Sequence, residues 1–223
     1  MNEEMENIEL TSQRERGKAE RRRRIVDSAR YLINEHGLDN VSIENIAAHA
    51  KVGQATVYNL FSNKNTILAA IFKQELRDFN RKVKDLDPKS PMKKLFIAAE
   101  FVVESVEHDP HFFRAMVYAS GRGEQRIVAE VTTQRIKAYT DMLQHAVKSG
   151  ELRKDTNPEI LGISLANMIS GTALSYTTYK SANHLLSFIN YGICLMLSSF
   201  ASEEGSRILQ KVMSEALDVL HSG

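Results

Sequence analysis

The sequence predicts an all-α fold, and three observations carry that expectation. Apolar residues recur at helical spacing along most of the chain, no convincing stretch alternates strictly with period two, and Pro, Gly and cap residues cut the chain into helix-length pieces. The expected architecture is an N-terminal three-helix unit containing a helix-turn-helix, followed by a larger C-terminal helical part.

Taken in order, residues 1–16 are polar and read as a flexible arm. From Lys18 to His36, Ile25, Ala29, Leu32 and Ile33 fall at i, i+4, i+7 and i+8, and Gly37 marks the end of one amphipathic helix. Ser42 suits the N-cap of a short helix with Ile43, Ile46, Ala47 and Ala50 on one face. A turn at Lys51 to Gly53 leads to a second short helix, Gln54 to Phe61. Asn63 can cap a longer helix running to about Asp85, with Ile67, Leu68, Ile71, Leu76 and Phe79 as its apolar set. The two prolines in Asp87-Pro88-Lys89-Ser90-Pro91 disfavour helix and place the domain boundary there, dividing the chain into 1–16, 17–86 and 87–223. Beyond them helices are expected at about 91–108, 110–119, 124–149, 158–180, 184–200 and 205–220. Their punctuation is Asp109-Pro110, Gly121 to Gly123, Gly150, Asn157-Pro158 and Gly205, with Pro110 and Pro158 at first-turn positions.

The net charge is +1, but its distribution is uneven: residues 11–86 carry fifteen Lys/Arg against nine Asp/Glu, and residues 1–10 add four Glu. A basic N-terminal third on a nearly neutral remainder suits a polyanion at one end only. No run of 18 uninterrupted apolar residues and no apolar leader is present, so neither membrane span nor signal peptide is expected and the protein is expected to stay in the cytoplasm. The single cysteine, Cys194, sits in an apolar run and reads as a core residue. With 223 residues, 43% of them apolar, the chain can bury a real core.

Between Ser42 and Phe61, the spacing of Ile46, Ala47, Val52, Val57, Leu60 and Phe61 closes two short helices against each other. Gln54, Ala55, Thr56, Tyr58 and Asn59 are then left on the outer face of the second helix. Those residue types suit a major groove: Gln and Asn can each bond an adenine edge, an Ala methyl can touch thymine, and Thr and Tyr hydroxyls donate to phosphates.

The string Ile25, Ala29, Leu32, Gly37, Ser42, Ile46-Ala47, Ala50, Val52, Thr56, Val57, Tyr58, Phe61 and Lys64, with its Tyr-x-x-Phe-x-x-Lys ending, resembles the tetracycline-repressor (TetR) family. The resemblance implies a DNA-binding transcriptional regulator, most often a ligand-responsive repressor, acting as a homodimer on a pseudo-palindromic operator in double-stranded DNA. It implies phosphate or base-edge contacts at Thr56, Tyr58 and Lys64. Two positions depart from the pattern: Lys51 stands where the family usually has Gly, and Gly53 where a Ser usually caps the recognition helix. A Lys forced to positive φ costs about 1 kcal/mol, whereas Gly is nearly as good an N-cap as Ser.

Seven Lys/Arg against two Glu lie between Arg14 and Arg24, and Arg21, Arg22, Arg23 and Arg24 are consecutive. Beside the motif this basic arm is expected on phosphates or in the minor groove. The candidate DNA-facing residues are therefore Arg21, Arg22, Arg23, Arg24, Ser42, Gln54, Ala55, Thr56, Tyr58, Asn59 and Lys64.

The C-terminal part resembles the family only in layout, through Gly150-Glu151-Leu152-Arg153 before an Asn-Pro helix start. The segments 158–180 and 184–200 are apolar on more than one face, which indicates burial in a monomer core or in an intermolecular four-helix bundle. The resemblance favours the bundle, and a two-fold dimer is what a helix-turn-helix needs to read half-sites about 34 Å apart. Small residues Ser164, Gly171 and Ser175 would allow close helix approach. Phe101, Phe112, Phe113, Met116, Tyr139, Met142, Met168 and Tyr176 can line a site for a small apolar or aromatic effector, although core packing explains each of them singly. Arg114, Arg122 and Arg126 can hold one carboxylate. No cofactor is expected, and His108-Asp109-Pro110-His111 straddles a helix break without a second ligand pair, so no metal is expected.

An enzyme reading lacks a Gly-rich phosphate loop, a nucleophile elbow and a paired metal motif. A scaffold that has lost DNA binding is countered by Thr56, Tyr58, Lys64 and the basic arm.

Overall fold

The structure is a computed structural model that describes residues 2–85, 90–118, 125–179 and 184–221, with side chains within 13–83, 90–114, 132–177 and 184–221. The described residues form ten α-helices, one short 3-10 turn and no strand; Leu152 and Ala201 make an isolated antiparallel bridge. None of these helices is long and apolar enough to cross a membrane. The chain divides into two compact units, Met1–Gln74 and Glu75–Gly223.

The first unit holds α1 (Asn2–His36), the 3-10 turn (Leu38–Asn40), α2 (Ile43–His49), α3 (Gln54–Leu60) and the start of α4 (Lys64–Asp85). Helix α1 begins at Asn2, so residues 2–16 are helical where sequence composition suggests a flexible arm. No Pro or Gly interrupts 2–16, so nothing in the local sequence stops the helix there. Ile25, Val26, Ala29, Leu32 and Ile33 of α1 close the core with Ile46, Ala47 and Ala50, with Val57 and Phe61, and with Ile67, Leu68, Ile71 and Phe72 of α4. Val52 and Leu60 are only half-buried.

The expected caps form. The Ser42 hydroxyl accepts from the Asn45 amide at 3.1 Å, and Asn45 Oδ1 accepts from the Ser42 amide at 3.1 Å, a reciprocal capping box. Asn63 Oδ1 accepts from the Thr66 amide at 3.0 Å at the start of α4.

The second unit contains the rest of α4, α5 (Pro91–His108), α6 (Pro110–Tyr118), α7 (Gln125–Ser149), α8 (Pro158–Tyr179), α9 (Leu185–Ser198) and α10 (Glu203–His221). The division of the chain into the two compact units falls within α4, after Gln74. The later turns of α4 carry Phe79 and Val83, which pack on the second unit's core, and apolar burial decides the boundary. In that core α7 runs along α8, α10 along α9, and α5 touches both α7 and α9.

Helix α10 starts two residues before the expected 205. Gly205 lies within its first turn, where a Cβ would come 2.1 Å from the Glu151 carbonyl oxygen. The Ser202 hydroxyl and amide each donate to that same carbonyl at 3.0 Å. The Glu151 side chain, itself buried, accepts from the Met92 amide at 2.8 Å and so caps α5 beside the Ser90 hydroxyl. One residue of the α7–α8 link thereby clasps the starts of two helices.

Candidate functional site

The turn between α2 and α3 tests the two departures noted above. Lys51 adopts φ +54°, so the turn does place a non-glycine residue in the left-handed region. Gly53 caps α3 with ordinary extended dihedrals and without a side-chain bond, so the cap supplies no hydroxyl to a phosphate.

On α3, Val57 is fully buried while Gln54, Ala55, Tyr58 and Asn59 are exposed and Thr56 is half-buried. Tyr58 is 55% exposed, large for an aromatic on a seven-residue helix. The face expected to meet DNA is therefore free of packing duties. Ser42, also exposed, spends its hydroxyl on the α2 cap.

The four consecutive arginines have different surroundings. Arg22 Nη1 donates to the Leu60 carbonyl at 2.9 Å, at the end of α3, and its guanidinium lies 4.1 Å from the centroid of Phe61. Arg23 pairs with Glu20 at 2.8 Å and Asp27 at 3.2 Å on the exposed side of α1. That hydrogen bond with Arg23 holds the Glu20 carboxyl below its ordinary value. Arg24 is half-buried with its Nε sealed from solvent and unbonded. Arg21 is exposed and makes no ion pair among the described residues. Lys64 is half-buried and donates its ammonium to the Leu38 carbonyl in the 3-10 turn. Its placement is that of a tether between α4 and the α1–α2 link. A stacked pair, Tyr31 on α1 and His49 on α2 with ring centroids 5.0 Å apart, escaped the sequence reading because nothing local relates those positions.

In the second unit, Phe113, Tyr139 and Met142 join one buried apolar cluster, and Met168 and Tyr176 pack partly buried against it. Phe112 is buried and Phe101 half-buried beneath the Lys82 ammonium at 4.7 Å, but neither belongs to that cluster. The side chains of Met116, Arg122 and Arg126 lie outside the described set. A cation the sequence reading missed is Arg135, one helical turn before Tyr139 on the packed side of α7. Its Nε and the Tyr139 hydroxyl are both buried without a hydrogen-bond partner. Desolvation lowers the Arg135 guanidinium's pKa and pushes the Tyr139 phenol up to about 12. The signal available was the i, i+4 spacing of Arg135 and Tyr139 along the stripe that continues to Met142 and Ala146.

On α8 and α9, Ile160 is 62%, Ile163 47%, Phe188 49% and Leu195 53% exposed. Gly171 is open on its Cβ side, whereas Gly192 faces Met168 of α8. These helices bury one apolar face in the unit and show a second to solvent. Among the described residues no group of three or more His, Cys, Asp or Glu side chains is arranged to hold a metal.

Residues 25–71 match the family model described as "Bacterial regulatory proteins, tetR family". The chain is similar to the HTH-type transcriptional regulator HbdR of Aromatoleum sp. (strain CIB), 24% identical over 203 residues covering 88% of each chain. Among solved structures, Thermus thermophilus FadR in complex with lauroyl-CoA superposes with a TM-score of 0.67 at 21% identity, over 83% of this chain and 97% of that one. FadR from Bacillus subtilis in complex with stearoyl-CoA gives 0.66 at 20% identity, over 79% and 98%. These two likenesses speak for the fold.

Proposed function

Because the chain belongs to the tetR family of bacterial regulatory proteins, we propose that it is a ligand-responsive transcriptional repressor that reads a pseudo-palindromic operator as a homodimer. The observation that carries this reading is the outer face of α3. Gln54, Ala55, Tyr58 and Asn59 are exposed there and supply base-edge and phosphate chemistry, while Val57 anchors the helix from behind. Thr56 and Tyr58 are assigned to phosphates or the nearby base edge. Of the basic residues, Arg21 is assigned to phosphate, and Lys64 is assigned there too, since its ammonium keeps donors beyond the one given to the Leu38 carbonyl.

Dimerisation through α8 and α9 is supported by their exposed apolar stripe, since water-facing Ile160, Ile163, Phe188 and Leu195 together favour a partner surface. A second copy presenting the same stripe makes an isologous four-helix bundle. A small effector with an apolar body binds in the second unit beside Phe113, Tyr139 and Met142; the two solved relatives that hold acyl-CoA molecules lend support to that class. Helix α4 contributes residues to both compact units and is the element proposed to carry the effector's signal.

The test is selection from a random DNA pool, with binding of the enriched site repeated across salt. A pseudo-palindrome bound with a steep salt slope supports the reading. No enrichment by a folded dimer sinks it and leaves a scaffold. Within the second unit, Phe113→Ser or Met142→Gln is expected to alter effector response while sparing operator binding.

A further inference from the structure

Among the described residues, two hydrogen-bond donors of helix α7, Arg135 Nε and Tyr139 Oη, have nothing to receive them, and they stand beside the apolar core cluster to which Tyr139 belongs. Arg135 stands one turn before Tyr139, and each is near enough to act on the other's charge. Arg135 Nε and Tyr139 Oη are both sealed from solvent and unbonded, and no carboxylate among the described residues acts on the guanidinium. Around them lie Phe79, whose ring centroid is 6.5 Å from that of Tyr139, and the buried side chains of Met142 and Leu143. Arg135 as a whole is half-buried while its Nε is sealed; buried donors are nearly always satisfied, so two unsatisfied ones a turn apart call for an explanation.

The chemistry specifies what is missing. Arg has donors and no acceptor, and a phenol kept protonated by burial also donates. Two donors on one stripe of α7 ask for an acceptor, and the guanidinium asks for a negative one. The neighbouring side chains ask for hydrocarbon. We propose that Arg135 and Tyr139 form the polar end of an effector site for an anionic amphiphile, an apolar body ending in a carboxylate or phosphate oxyanion. This rests on the ligand-responsive reading above and narrows its effector class. When the oxyanion arrives, Arg135 Nε–H and Tyr139 Oη–H donate to it and the uncompensated charge is neutralised within the unit.

The experiment is calorimetric titration of the full chain with two matched pairs, laurate with 1-dodecanol and 3-phenylpropionate with 3-phenyl-1-propanol. Lauroyl-CoA is added to tell phosphate from carboxylate as the source of the oxyanion. Wild type is expected to prefer at least one anionic probe over its uncharged counterpart by about tenfold or more, the range of a hydrogen bond to a charged group. Arg135→Met is expected to abolish that preference while keeping the alcohol's affinity, Arg135→Lys to restore part of it, and Tyr139→Phe to give an intermediate loss. Without ligand, Arg135→Met is expected to melt at or above the wild-type temperature, because it removes a partly desolvated guanidinium that has no carboxylate partner among the described residues. A lower melting temperature would mark Arg135 as structural and overturn the proposal, as would equal binding of acids and alcohols, or a preference for acids that survives Arg135→Met.

Release of an enriched DNA site separates this proposal from its premise. Release by an alcohol in wild type and Arg135→Met alike keeps the regulator and overturns the assignment. Anion binding that depends on Arg135 but never changes DNA affinity keeps the assignment and overturns ligand control.

Discussion

Arg22 of α1 lies with its guanidinium 4.1 Å from the ring centroid of Phe61, across 39 positions of sequence, while the same group donates to the Leu60 carbonyl that ends α3. A cation at a helix C-terminus satisfies an orphan carbonyl and complements the helix dipole. The contact fixes α3 to α1, and so sets where the exposed face of α3, proposed above to read DNA, stands within its unit.

Arg22→Ala is accordingly expected to lower the stability of the first unit by about 1 kcal/mol, the scale of an exposed cation–π contact with its hydrogen bond. Arg21→Ala is expected to leave stability unchanged and to reduce the salt slope of operator binding by about one unit. Denaturant melts and salt-dependent binding measured on both variants check this. A matched effect from the two residues would show the four arginines acting as one strip after all.

Lys51 offers a gain. Its φ of +54° is one that glycine adopts freely, so Lys51→Gly is expected to raise stability by up to about 1 kcal/mol. Gly53→Ser, at a position with ordinary dihedrals, adds only a few tenths, since Gly is already an adequate cap. Chemical denaturation ranks them, and the reverse order would mean that the turn is not strained.

Charges placed on the outward stripe of α8 and α9 should separate assembly from folding. Ile163→Asp together with Leu195→Asp touches side chains about half-exposed in the single chain, so helicity is expected to persist while the dimer is lost. Light scattering reads the mass and circular dichroism the fold. A dimer surviving both substitutions rules out this stripe as the interface.

The phenol of Tyr139 makes a pH prediction. Its pKa is raised from 10.0 to about 12 by burial, so above pH 10 the unfolded chain releases this proton before the folded chain does. The stabilisation is complete below pH 10 and is lost as pH rises through about 12, a total of roughly 2–3 kcal/mol. Wild type should therefore lose stability between pH 10 and 12 more steeply than Tyr139→Phe. Parallel curves would place the hydroxyl in water.

Gly205→Ala is expected to be among the most damaging single-methyl additions in the second unit. The new Cβ would meet the Glu151 backbone oxygen at 2.1 Å, and neither helix start can yield without breaking the other's cap. A loss of about 1–3 kcal/mol, the usual range for overpacking, is expected in thermal or urea melts.

Much of the fold was legible because helical periodicity and caps are local. Ser42, Asn63, Asn157 and Pro158 sit at helix starts, as their chemistry requires. The exposed side of α3 was legible for the same reason, since Val57 and Phe61 mark its inner side. Long-range events were not. A row of four arginines looks uniform in sequence, and only the folded unit distributes them among Leu60, Glu20, solvent and a buried edge. Gly205 reads as punctuation until Glu151 is brought against it, and Arg135 reads as one more polar residue until the fold seals its Nε from solvent near Tyr139.

The clasp at Glu151 also bears on the order in which the chain can take shape during synthesis. The first unit draws its core from residues 25 to 72, all of them made before the second unit, and is expected to close while the remainder is still being made. The second cannot finish until Ser202 and Gly205 have emerged to grip the carbonyl of Glu151. A ribosome that pauses before them would therefore hold a chain whose first unit is expected to be formed and whose second unit is still open.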